Sequence, residues 1–200
     1  MTHVLTMKKS INLLQLFLPT ITAGIFLSLA ACATQPPAPS ALCQLNDDNG
    51  NPIPPAFAGT LNPRHQGHAA THVVLVQKLE TACCNGFDRV VFTFEGFHHP
   101  TWRARYVNAP IQQCASGNNV AVAGNAFLQI SMDTAQAHTD AGQPTITERD
   151  RHLNCHNLKQ VVLTCDFEAK VGFVLGLNSK TPYRVVELQN PTRLIVDVKN

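Results

Sequence analysis

The chain has 200 residues, with 15 Lys and Arg against 13 Asp and Glu and a formal net charge of +2. A protein that binds a polyanion concentrates basic side chains on one element, and this near-balance argues against a nucleic-acid partner. The length beyond the N-terminal third suffices for one domain with its own core and is too short for two.

The first element is a leader. Lys8 and Lys9 precede an apolar run from Ile11 to Leu29, and Leu29-Ala30-Ala31-Cys32 closes it. This arrangement resembles the lipobox of bacterial lipoproteins, in which cleavage falls before a lipid-modified cysteine. Residues 1–31 are therefore expected to be a signal peptide and Cys32 the lipidated mature N-terminus. Pro19 and the polar interruptions of the run disfavour a membrane-spanning helix, so the expected membrane partner is reached through acyl chains alone. Loss of Lys8 and Lys9 leaves 13 basic and 13 acidic residues. Ala33, rather than Asp, follows Cys32; by the lipoprotein resemblance this implies the periplasmic side of the outer membrane if the host has two membranes.

From residue 32 to 69 the chain holds seven of the thirteen prolines and little apolar periodicity, which predicts a tether. Bonding of Cys43 to the domain would shorten it to Ala33–Leu42. Residues 70–200 are expected to form the domain. Alternation of period two predicts strands over 73–79, 90–95, 128–132, 171–177 and 193–198. Helical turns are expected at Thr134–His138 and near His152–Leu158. Short β segments parted by Gly, Pro and Asn favour an all-β sandwich. An offset of 81 residues aligns Val90, Phe92 and Phe94 with Val171, Phe173 and Leu175. The same offset aligns Trp102-Arg103-Ala104 with Tyr183-Arg184-Val185, and Pro110 with Pro191. Two copies predict a pseudo-two-fold sandwich of two similar sheets.

Besides Cys32 there are six cysteines: Cys43, Cys83, Cys84, Cys114, Cys155 and Cys165. An even number outside the cytoplasm predicts disulfides. A bond between the neighbours Cys83 and Cys84 would be strained and is set aside. Cys155 with Cys165, which bracket a short segment, is the favoured pair, and the remaining connectivity is open.

Several motifs together carry a family resemblance. They are Asp88-Arg89-Val90-Val91-Phe92-Thr93-Phe94-Glu95-Gly96, Gly124-Asn125-Ala126-Phe127-Leu128, Ala135-Gln136-Ala137-His138 with Gly142-Gln143-Pro144-Thr145, and Asp166-Phe167-Glu168. Pro182-Tyr183-Arg184-Val185 and Pro191 through Val198 complete the set. Over residues 70–200 the chain resembles the AMIN-like domain of bacterial lipoproteins, related to the AMIN (amidase N-terminal) domain. The resemblance implies a β-sandwich and an envelope role, because AMIN domains attach amidases to peptidoglycan and occur on secretins. It implies no catalytic residues.

Direct chemistry is sparse. No G-x-S-x-G elbow is present, and the mature chain has four serines. His65, His68 and His72, with His98-His99 or Cys155-His156, have spacings that reach one metal, but no HExxH motif accompanies them. Surface histidines are the better account, and neither metal nor cofactor is expected. Asp166 and Glu168 lack the apolar pocket that would split their acidities for glycoside cleavage, so a turn or strand edge is expected there. No enzyme activity is expected. For ligand binding the candidates are Trp102, Tyr106 and Tyr183 as aromatic faces and Arg103, Arg105 and Arg184 as carboxylate forks. Trp102, Ala104 and Tyr106 share one strand face and Arg103 and Arg105 the other, and aromatics are more often core, which makes the arginine face the better patch. The expected function is a non-catalytic, lipid-anchored envelope module in contact with peptidoglycan. The alternatives are a protein-interaction subunit of an envelope assembly, paired through a sheet edge, and, third, a metal-binding or hydrolytic envelope protein.

Overall fold

The computed structural model describes residues 40–69 and 72–200; the leader and Cys32 lie outside the described residues. A 3-10 turn at Ala41–Gln44 is followed by β1 (Arg64–Gln66), β2 (Val74–Cys84), β3 (Phe87–Phe94), β4 (Thr101–Val107), β5 (Ile111–Gln112), β6 (Asn119–Val120) and β7 (Ala126–Asp133). Then come β8 (Ala135–Gln136), β9 (Asp150–His152), β10 (Leu158–Phe167), β11 (Lys170–Leu177), β12 (Tyr183–Gln189) and β13 (Thr192–Lys199). Sheet I has the order β1, β4, β7, β11, β10, β9; sheet II has the order β12, β13, β3, β2, β8; β5 and β6 form a separate hairpin.

The period-two segments become strands because one face of each is buried between the sheets. Leu128, Ile130 and Met132 are fully buried on β7, while Gln129 and Ser131 between them are half-buried. They share one core with Val90, Phe92, Leu194 and Val196 of sheet II and with Phe173 and Leu175 of β11. Phe92 and Phe173 meet at its centre, with ring centroids 4.9 Å apart. Each such side chain contributes about 1.5–3 kcal/mol on burial.

The repeat is structural. β2, β3, β4 and β7 correspond to β10, β11, β12 and β13. Exchanging the halves converts the order β4, β7, β11, β10 of sheet I into β12, β13, β3, β2 of sheet II. Each half thus places its first hairpin in one sheet and its second in the other. The aligned prolines Pro110 and Pro191 both follow cis peptide bonds.

Three expectations are corrected. No α-helix occurs among the described residues: Thr134 has a left-handed φ of 59°, and Ala135–Gln136 pairs in parallel with Val74–Leu75 of β2. A single turn without caps cannot compete with sheet pairing. Residues 40–69 are not a free tether. Leu42, Leu45 and Ile53 pack on Val91, Leu188 and Ile195, and Cys43 and Phe57 pack on Ala82, Cys84 and Phe87. This stretch covers the outer face of sheet II, and β1 then joins sheet I beside β4. The disulfides are Cys43–Cys84, Cys83–Cys155 and Cys114–Cys165, with Cα separations of 5.6, 5.0 and 5.1 Å. Cys155 does not pair with Cys165 because most of the intervening chain is the extended strand β10. At about 3.3 Å per residue that strand holds the two well beyond disulfide reach. Cys83 and Cys84 point to opposite faces of β2 and so bond in opposite directions.

Beneath residues 40–57 lies an ion cluster. Arg89 on β3 and Asp197 on β13 are register partners, fully buried, with Nε to Oδ1 at 2.7 Å and Nη2 to Oδ2 at 2.8 Å. Arg89 Nη1 donates to the Leu42 carbonyl at 2.7 Å, and Arg184 Nε donates to Asp197 Oδ2 at 2.7 Å. Arg184 Nη2 is also 2.7 Å from an Asp197 oxygen but off the hydrogen-bond direction, so it adds charge attraction only.

Candidate functional site

The outer face of sheet II is covered, whereas much of the outer face of sheet I is open. On it Arg103 lies opposite Ser131 and Arg105 opposite Gln129, while Gly172 flanks Ser131 and Lys170 flanks Asp133 from β11. Arg103 and Arg105 are exposed and alternate with buried Trp102 and Ala104. Arg105 Nε and Nη2 both donate to Gln129 Oε1 at 3.3 Å. Gly172 keeps the floor low, since a Cβ there would come 3.0 Å from Cys165 Cβ.

The β5–β6 hairpin walls this face. The Cys114–Cys165 bond and a hydrogen bond from Cys114 N to the Thr164 carbonyl at 3.0 Å fasten it to β10. Between hairpin and sheet runs a groove of about 230 Å³ bounded by Arg105, Gln112, Gln129, Ser131 and Lys170. It continues past Arg105 into a second hollow of about 390 Å³ toward Asn108 and Gln113. A third, of about 550 Å³, follows beyond Asn108, bounded by Tyr106, Asn125, Phe127 and Lys180. Lys180 Nζ sits 5.1 Å from the centre of the Tyr106 ring. Arg105 and Lys170 thus line the first hollow with amide side chains, while Lys180, Asn125 and the Tyr106 ring, which packs on the core side of β4, line the third. This chemistry holds carboxylates and sugar hydroxyls.

Of the candidate ligand residues, only Arg103 and Arg105 face this surface. Trp102 is 6% exposed and its indole N–H donates to Glu187. Tyr183 is fully buried, its hydroxyl 2.8 Å from the carbonyls of both Asn62 and Ala104. Burial pushes the Tyr183 phenol up to about 12, and it also raises Tyr106, whose hydroxyl donates to the Thr181 carbonyl at 2.6 Å. Arg184 is held by Asp197 and lies 4.3 Å from the Phe57 ring. Asp166 and Glu168 do not face each other as a pair. Asp166 accepts from Ala137 N and His138 Nδ1, each at 2.9 Å, and Glu168 occupies the left-handed turn between β10 and β11 with φ 50°.

Comparison with family models matches residues 74–200 to the AMIN-like domain. The chain belongs to the AMIN-like domain family. Comparisons with curated proteins and with solved structures returned no match. The matched span runs from the start of β2 to Asn200, so the covering stretch 40–69, with β1, lies outside it.

Around the AMIN-like domain the histidines separate into groups. His65 pairs across from Arg103 on the outer side of β1. His72 and His98 meet ring to edge at 4.9 Å, and Cys155 is occupied by its disulfide. His68 and His99 stack at 5.4 Å beside Glu187, whose Oε1 lies 2.7 Å from His68 Nε2. Glu187 was not among the sequence candidates. On β12 it occupies the position of one more alternating residue, and only the approach of β4 and the stretch after β1 gives it partners.

Proposed function

We propose that the chain is a non-catalytic, lipid-anchored envelope module whose AMIN-like domain contacts peptidoglycan through the groove on sheet I. The observation that carries this reading is the asymmetry of the two outer faces. Residues 40–57 seal one of them, while the other presents Arg103, Arg105 and Lys170 above a floor of small and amide side chains. A guanidinium fork binds the carboxylates of stem peptides, and the separate hollow beside Tyr106 offers a ring and amides to sugar hydroxyls. Three disulfides suit an oxidising compartment, and family membership supports an envelope setting. The absence of a G-x-S-x-G elbow and of a facing Asp166–Glu168 pair supports a binding rather than hydrolytic role.

The edge-pairing alternative has less support. β1 occupies the edge of β4. The outer backbone of β12 is engaged at both ends, by Thr60 at Tyr183 and by the Asp48 carboxylate at Gln189 N. The test is co-sedimentation of the full chain with purified sacculi. Arg103→Ala with Arg105→Ala should lower the pelleted fraction several-fold while melting is unchanged. Undiminished pelleting of this variant would overturn the reading.

A further inference from the structure

We infer that His68, His99 and Glu187 form a binding site for a divalent transition metal of the zinc class, placed where the two sheets meet at the β4–β12 side of the sandwich. This does not rest on the peptidoglycan reading. Glu187 shares the inward face of β12 with Tyr183 and Val185, both packed on the core. It is a half-buried carboxylate at the margin of the core, where a charge gains from a partner. Among the described residues its one ionisable partner is His68, and its other contact is the Trp102 indole N–H. Two imidazole nitrogens and one carboxylate are an electron-donating set that a dication would compensate.

The donor set fits the metal. One ligand atom from each of His68, His99 and Glu187 lies within 4.8 Å of the others. Ligand atoms around tetrahedral zinc at about 2.0–2.2 Å stand roughly 3.5 Å apart. Side-chain shifts of about 1 Å would therefore close the set. His99 Nε2 is 3.2 Å from the Arg193 carbonyl. A carbonyl only accepts, so Nε2 carries the ring proton and Nδ1 the lone pair that a metal needs. The Gln189 amide, now 3.3 Å from Nδ1, is the group a cation would displace. The Arg193 carbonyl on His99 and the Trp102 N–H on Glu187 are the outer hydrogen bonds that orient ligands in built metal sites.

Access is also present: the His68 and Glu187 side chains are 27% and 28% exposed, whereas His99 is 3% exposed. The metal would take the place of the proton now shared between His68 Nε2 and Glu187 Oε1; that proton moves to Nδ1 of the same ring, so His68 stays an uncharged ligand. Two imidazoles and a carboxylate leave a fourth position for water. The three ligands come from the stretch after β1, the loop before β4, and β12. An ion would thus tie the N-terminal covering stretch to both sheets.

The experiment is titration of the full chain, in detergent and without reductant so that paired cysteines donate nothing, with Zn²⁺ alone and with Co²⁺ alone. Trp102 is the only tryptophan and touches a ligand, so its fluorescence reports occupancy. Expected are saturation at one ion per chain at micromolar zinc, visible Co²⁺ bands of a tetrahedral site, and a rise in melting temperature with zinc. His68→Ala and Glu187→Gln should each weaken binding at least about tenfold, the scale of a lost ligand or its orienting bond, and His98→Ala should leave it unchanged. Gln at 187 keeps an oxygen for the Trp102 N–H, so this variant stays folded and decides the matter if His68→Ala does not. No saturable binding, or binding lost in His98→Ala but kept in Glu187→Gln, would overturn the site.

Discussion

Substituting Asp197 by Ala tests the ion cluster under the covering stretch. The change removes three charge-assisted hydrogen bonds, two from Arg89 and one from Arg184. It leaves the Arg89 guanidinium, 0% exposed, with the Leu42 carbonyl as its remaining recorded acceptor. Stranding one member of a buried pair costs about 3–5 kcal/mol. For a domain of this size each kcal/mol moves the midpoint by about 2–4 °C, so the melting temperature should fall by roughly 6–20 °C. Urea unfolding followed by near-ultraviolet circular dichroism should show a lower midpoint at unchanged slope. The double change Arg89→Met with Asp197→Leu removes the fully buried pair and fills similar volume, and should recover part of the loss, the remainder being the Arg184 guanidinium left without its carboxylate. The reasoning fails if Asp197→Ala costs less than about 1 kcal/mol, or if the double variant is as unstable as the single one.

Two other outcomes follow from the same structure. Non-reducing peptide mapping should recover Cys43–Cys84, Cys83–Cys155 and Cys114–Cys165 linkages, and a Cys155–Cys165 peptide would contradict the path of β10. The chain has two tyrosines, Tyr106 and Tyr183, so absorbance at 295 nm reads both: neither should ionise at the ordinary value of 10, and the later should titrate near 12. Since the folded values are raised, the stability these phenols contribute is complete below pH 10 and is lost as pH rises toward 12. A single titration centred at 10 would refute their burial.

Much of the sandwich was legible because alternation is a local property. β3, β7, β11 and β13 fall on their apolar runs, and parity alone put Arg103 and Arg105 on the side opposite Trp102. The offset of 81 residues between halves found the repeat, because corresponding strands present matching inward faces, but not the exchange of hairpins between the sheets, which depends on which strands pair. What escaped was whatever depends on distant partners. Leu42, Ile53 and Phe57 share no period, and each fills a separate place on a surface that exists only after sheet II forms. Cysteine pairing follows strand direction and face, neither of which spacing encodes. Glu187 meets Trp102 and His68 across 85 and 119 residues of sequence, beyond any local signal. The aromatics Trp102 and Tyr183 are core residues, and a residue type compatible with both burial and ligand contact does not say which role it has.

The exchange of hairpins has a consequence for biogenesis. The middle of sheet II is the seam β3·β13 and the middle of sheet I is the seam β7·β11, so each seam joins an early strand to a late one. No break in the chain yields a fragment with a complete layer, and an emerging N-terminal portion must wait, with open backbone along β3 and β7, for its last few dozen residues to arrive. Such distant closures are slow to form, and truncation by even the final strand would leave a species prone to self-association at the vacated seam.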